Sequence, residues 1–199
     1  MNKSIKWMAS GFLAAVAITA ATLLLQGTDN KSTRLALELT ARFSFVLFWL
    51  AYAGGAVAAL FRVDALAGRG REFGLAFAAA HLMHIGLVIW LGYLMGRVPL
   101  SGGLLLFFLV GLFCTYLLAL LSFGGAQALG PLWRPLRFMG MNYILIAFAR
   151  DFILPVLYPK PSQYNVAHFV AYAPFAAASI LAPLLVFAAG MRQAQLKAA

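Results

Sequence analysis

The chain has 199 residues, 64% hydrophobic and only 10% charged, with a mean hydropathy of +0.91. Soluble domains carry roughly 45–50% apolar and ~25% charged residues, so this composition excludes a soluble fold and leaves the bilayer as solvent. The formal charge of +10 comes from 15 Lys and Arg against five acids, scattered singly between apolar runs; with no basic stripe to follow a phosphate backbone, nucleic acid is excluded as a partner.

A spanning helix needs roughly 20 predominantly apolar residues, and six stretches qualify in turn. The first, Trp7–Leu25, follows a basic start, Met1-Asn2-Lys3-Ser4-Ile5-Lys6. It is longer than the ~7–15 apolar residues of a signal peptide. Although Ala20-Ala21 could mimic a cleavage site, the stretch reads as an uncleaved first helix. After Gly27-Thr28-Asp29-Asn30 comes Leu35–Phe61, where Ala51, Gly55 and Ala59 repeat every fourth position. That spacing lets helix backbones approach closely. Gly68-Arg69-Gly70 separates it from Phe73–Met95, and Pro99 marks a tight third turn before Ser101–Phe123. The single cysteine, Cys114, lies in that fourth run and reads as a packing residue. Gly124-Gly125 and Gly130-Pro131 frame the next loop, Leu136–Tyr158 is the fifth span, Pro159-Lys160-Pro161 closes it, and Val166–Met191 is the sixth. The apolar runs do not alternate with polar residues, so no strand competes.

Lys and Arg gather on one side: Lys3, Lys6, Arg62, Arg69, Arg71, Arg134, Arg137, Arg192 and Lys197. The other side receives Lys31, Arg34, Arg97 and Lys160, with Arg42 just inside the membrane. By the positive-inside bias both termini are cytoplasmic, which an even number of spans also requires. The expected fold is all-α: one polytopic membrane helix bundle of about six spans over residues 1–199, in the cell's inner (cytoplasmic) membrane.

Ionisable groups inside a bilayer are costly and so are functional candidates. His81 and His84 lie three apart on the third span, sharing roughly one face, with His81 about 12 Å deep and His84 near the midplane. A neutral imidazole there can ligate haem iron, relay protons or bond a neighbouring helix. His168 opens the sixth span near the outer surface. Glu38 and Arg42 stand one turn apart, about 5 and 10 Å below that surface, and Arg150-Asp151 lies about 10–12 Å below it. Pairing of Glu38 with Arg150 and of Arg42 with Asp151 would clamp two helices; alternatively the four charges form an anionic-ligand or headgroup site, or a proton path. Zinc, phosphate-loop and nucleotide motifs are absent from the sequence, and the loops are too short for a flavin or nicotinamide domain, so any redox role needs a separate partner.

Two segments carry a family resemblance. Arg69-Gly-Arg71-Glu-Phe-Gly-Leu75 leads to His84 nine residues after the Leu, and Leu118-Ala119-Leu-Leu-Ser122 is followed by Leu129-Gly130 and Trp133-Arg-Pro-Leu136. Together they resemble the ferric-reductase-like transmembrane superfamily, in particular the haem-binding membrane subunits of the bacterial methionine sulfoxide reductase system, over residues 35 to 158. The resemblance implies six helices and a b-type haem on His84. The two further haem histidines of the family fall on Arg137 and Arg150, still 13 apart. Arginine stays protonated and offers no lone pair to iron, so a second ligand would have to be Met139, Met141 or His81 in a shifted register. The arginines could instead engage something anionic, such as a lipid headgroup or haem propionates.

Three functions follow as expectations. The first is an electron-transfer subunit with one b-type haem on His84. The second is a haem-free structural or assembly subunit of a larger membrane complex. The third is a small transporter built on Glu38, Arg42, Arg150 and Asp151, for which the sequence lacks an inverted repeat or broken-helix signature.

Overall fold

The computed structural model describes residues 3–159 and 165–198, the side chain of Ala198 excepted. Lys160 and Pro161, expected to close the fifth span, and the first two residues of the basic start lie outside the described residues. Among the described residues there are six long helices: α1 (Lys3–Gln26), α2 (Asn30–Phe61), α3 (Gly70–Met95), α4 (Gly102–Leu120), α5 (Trp133–Leu157) and α6 (Val166–Ala198). Each is long and apolar enough to cross a membrane. Each also exposes large apolar side chains, among them Leu24, Val46, Ile89, Phe113, Ile146 and Phe187. Lipid, not water, is the solvent that tolerates such surfaces, and the chain is a multi-pass membrane protein.

Helix ends depart from the apolar runs where side chains cap them. α2 starts at Asn30, five residues before its apolar stretch, because the Asp29 carboxylate accepts the Ser32 N–H at 2.8 Å and so satisfies an orphan donor of the first turn. The same bond, with that Ser32 amide as its main cause, holds the Asp29 carboxyl below its usual range. Gly27, at φ +94°, ends α1 in the left-handed conformation, and the Ser32 hydroxyl donates to the Gln26 carbonyl at 2.7 Å. Between α4 and α5 the sequence suggests an open loop; the backbone instead keeps turning. A widened turn at Leu121–Gly125, a single helical turn at Ala126–Ala128 and a 3₁₀ turn at Gly130–Leu132 follow one another, with Gly124 and Gly130 absorbing positive φ.

The chain forms two compact units, and α2 and α4 each contribute to both. The first unit comprises Met1–Phe48 and Arg71–Val110. Here α1 and α3 run parallel: Lys3 pairs with Glu72 at 3.2 Å, Trp7 meets Phe73 edge-on at 5.1 Å, and Gly11 lies on the Ala76 backbone. A Cβ at Gly11 would come within 2.5 Å of the Ala76 carbonyl oxygen, so only glycine permits this crossing. α2 runs antiparallel to α3, with Arg34 against Met95, Thr40 against His84 and Phe48 against Phe77. Phe45 and Phe48 of α2 and Leu75, Ala80 and Leu87 of α3 are buried.

The second unit comprises Trp49–Gly70 and Gly111–Ala199. The indole N–H of Trp49 donates to the Ala178 carbonyl of α6 at 2.9 Å, and the Tyr52 hydroxyl to Asn142 Oδ1 of α5 at 2.9 Å. Arg192 of α6 donates to the Ala59 and Leu60 carbonyls at the C-terminal end of α2, at 3.0 and 3.3 Å. These are carbonyls that a helix end leaves without an internal partner. α4 packs antiparallel on α5 through Gly111 against Tyr143 and Leu118 against Gly140. α5 packs antiparallel on α6 through Phe152, which stacks on Phe175 at 5.1 Å.

Candidate functional site

The first unit holds His81 and His84. Helical spacing puts them on one side of α3, and their rings stack with centroids 5.0 Å apart and planes 15° from parallel. Phe77, one turn earlier, lies against His81 at 5.4 Å with its ring tilted by 38°. The partner of His84 on α2 is Thr40, whose Oγ1 lies 3.2 Å from His84 Nδ1. Thr40 is wholly buried, as are Thr33 and Ser44 on the same face of α2. The Thr40 hydroxyl lies 2.8 Å from the Ala36 carbonyl and 3.1 Å from that of Leu37, the back-bonds usual for a helical threonine.

Glu38 and Arg42 occupy the opposite face of α2 in the same unit. They form an ion pair at 3.3 Å, one turn apart, with Arg42 largely covered and Glu38 half exposed. In the second unit Arg150 bonds its neighbour Asp151 at 3.0 Å. Each of these four charges therefore has an ion-pair partner on its own helix, an arrangement that would lower the cost of placing them in lipid. His168 donates its backbone N–H to Asn165 Oδ1 at 2.7 Å, holds the Pro155 carbonyl through Nε2 at 3.1 Å, and packs on Tyr172. It ties α6 to α5. Arg137 is exposed near the start of α5, Met139 stands 69% exposed, and Cys114 is partly covered.

These residues can be tested against the haem that the resemblance implies. An axial histidine binds iron through one ring nitrogen while the other is held by a neighbour. His84 meets that description, with Nδ1 held and Nε2 unengaged by Thr40. His81 does not supply the opposite ligand: two rings stacked in parallel on one side of one helix cannot face each other across a porphyrin. Arg137 and Arg150 have no lone pair to offer. The donor set thus fits attachment at one axial position and does not fit a two-histidine clasp. Among the described residues, no group of three or more His, Cys, Asp and Glu side chains is arranged to hold a bare metal ion.

Sequence reasoning located both histidines and all four charges but missed Thr40. Its only signal was the spacing of Thr33, Thr40 and Ser44 at seven and four residues, which places three small hydroxyls on one helix face. No protein-family model, no curated protein and no solved structure matches the chain.

Proposed function

We propose that the chain is an electron-transfer subunit of the cytoplasmic membrane, of ferric-reductase-like kind, with both termini cytoplasmic and one b-type haem attached at His84. The observation that carries this reading is the His84 imidazole anchored through Nδ1 to a buried threonine, the arrangement an axial ligand needs. When bound, the haem supplies a one-electron carrier; the electron donor and acceptor belong to a partner protein. The chain's own residues hold the ligating ring in place and surround it with apolar helix. The Lys and Arg excess, nine against four or five, sets the orientation.

A second reading, a haem-free structural or assembly subunit of a larger membrane complex, is favoured by a different observation. The position of one family ligand holds Arg150, bonded to Asp151, and His81 occupies one face of the His84 ring. The two readings separate in one measurement. Protein purified in detergent from haem-supplied cells, air-oxidised and then dithionite-reduced, shows a Soret band that His84→Ala abolishes if the first reading holds. Colourless protein that co-purifies with a partner ends the first reading and supports the second.

A further inference from the structure

We infer that Thr40 is a positioning residue that locks His84 in the tautomer with the proton on Nδ1, so that the Nε2 lone pair is presented as an iron ligand. The inference deepens the haem reading and rests on it for its functional meaning, but its chemical content can be tested without haem.

The argument turns on which atom owns the proton between Thr40 Oγ1 and His84 Nδ1. A threonine hydroxyl has one hydrogen to give and two lone pairs to receive with. Its hydrogen has a closer acceptor elsewhere: the Ala36 carbonyl lies at 2.8 Å, against 3.2 Å for the imidazole nitrogen. With that hydrogen spent on its own helix, Oγ1 faces the ring as an acceptor. An acceptor on that side of the ring requires an N–H there, and a neutral imidazole has only one. Nδ1 therefore carries it, and Nε2 is left bare.

Burial fixes the arrangement. Thr40 is wholly buried, so no water reaches its hydroxyl, and an unmatched N–H against it would be costly. Ring rotation is restrained on a face by His81, stacked at 5.0 Å. Serine at position 40 would keep the oxygen; valine would keep the shape and lose it.

Two measurements test the inference. Nitrogen-15 histidine spectra of the whole protein in detergent, with His84 assigned by its loss in His84→Gln, report the tautomer directly. A protonated Nδ1 with a bare Nε2 supports the lock, and the opposite tautomer overturns it, whether or not the protein binds haem. In haem-loaded protein, Thr40→Val should release haem faster than wild type while Thr40→Ser should not. Loss of an outer-shell partner costs roughly 10–100-fold in metal affinity, and a loss in that range is expected for Thr40→Val. Equal haem retention in Thr40→Val and wild type overturns the positioning role. A colourless wild type ends the haem reading alone, and the nitrogen spectra still decide the tautomer.

Discussion

At the scale of single residues, the hydroxyls and carboxylates that matter most act on backbone. Asp29 is the plainest case. Its carboxylate caps α2 by accepting the Ser32 N–H, and that bond keeps its folded pKa depressed. A depressed carboxyl contributes stability that is fully present above the unfolded pKa, about 3.9, and is lost as pH falls through the folded value. Asparagine accepts the same bond without titrating. Melting temperatures in detergent should therefore favour wild type over Asp29→Asn near neutral pH, and the gap should close below about pH 4. A gap independent of pH would show that the charge on Asp29 is irrelevant. The same contrast between local and distant partners explains what the sequence reveals at this scale. His81 and His84 announce their proximity because three residues make nearly one helical turn. Thr40 lies 44 residues from His84, and nothing along the chain states which threonine of α2 meets which residue of α3.

At the scale of helices, packing is decided by where backbones touch. Gly11 and Gly55 look alike in sequence, each a glycine in an apolar run, yet the structure separates them. A Cβ at Gly11 strikes the Ala76 carbonyl oxygen, whereas one at Gly55 meets nothing within 4 Å. Gly11→Ala should destabilise the first unit by about 1–3 kcal/mol, the usual cost of overpacking. Gly55→Ala should be neutral or stabilise by up to about 1 kcal/mol through helix propensity. Thermal unfolding of the two variants in one detergent checks both, and equal effects would remove the case for an α1–α3 backbone contact.

Helix ends follow a similar logic. α2 ends with Arg62 at φ +59°, a left-handed position where glycine is the usual choice. The terminal carbonyls of Ala59 and Leu60 are satisfied by Arg192, more than 130 residues away. Arg192→Ala should cost about 1 kcal/mol, since the guanidinium is exposed and its bonds are screened; Arg192→Lys should recover part of it. Apolar length reveals that α2 exists and roughly where it lies. It does not reveal that a residue in the last turns of α6 closes it, because capping from a distant helix leaves no local pattern.

At the scale of the molecule, six apolar runs mapped onto six helices because each run had to satisfy all its backbone groups internally, and helix is the form that does so segment by segment. Composition was therefore enough for the fold class. Side-chain chemistry was not enough for the cofactor: a resemblance carried by short motifs indicates where ligands would stand, but Arg137 and Arg150 stand there instead. Orientation is the property of the whole chain that charge alone can set. Within the units, successive helices run antiparallel wherever they touch: α2 on α3, α4 on α5, α5 on α6. In the proposed orientation the side that carries the Lys and Arg majority is cytoplasmic, and both termini belong to it. A fluorescent protein fused after Ala199 should therefore glow, because it matures in the cytoplasm. A phosphatase that is active only outside should stay silent at the same site and become active when inserted between Gly27 and Asp29. Moving the basic majority should move the signal. Replacing Arg69 and Arg71 with Gln while adding two Lys beside Lys31 should weaken the fluorescent fusion. Unchanged signals would mean that packing, rather than charge, fixes the direction in which the helices cross.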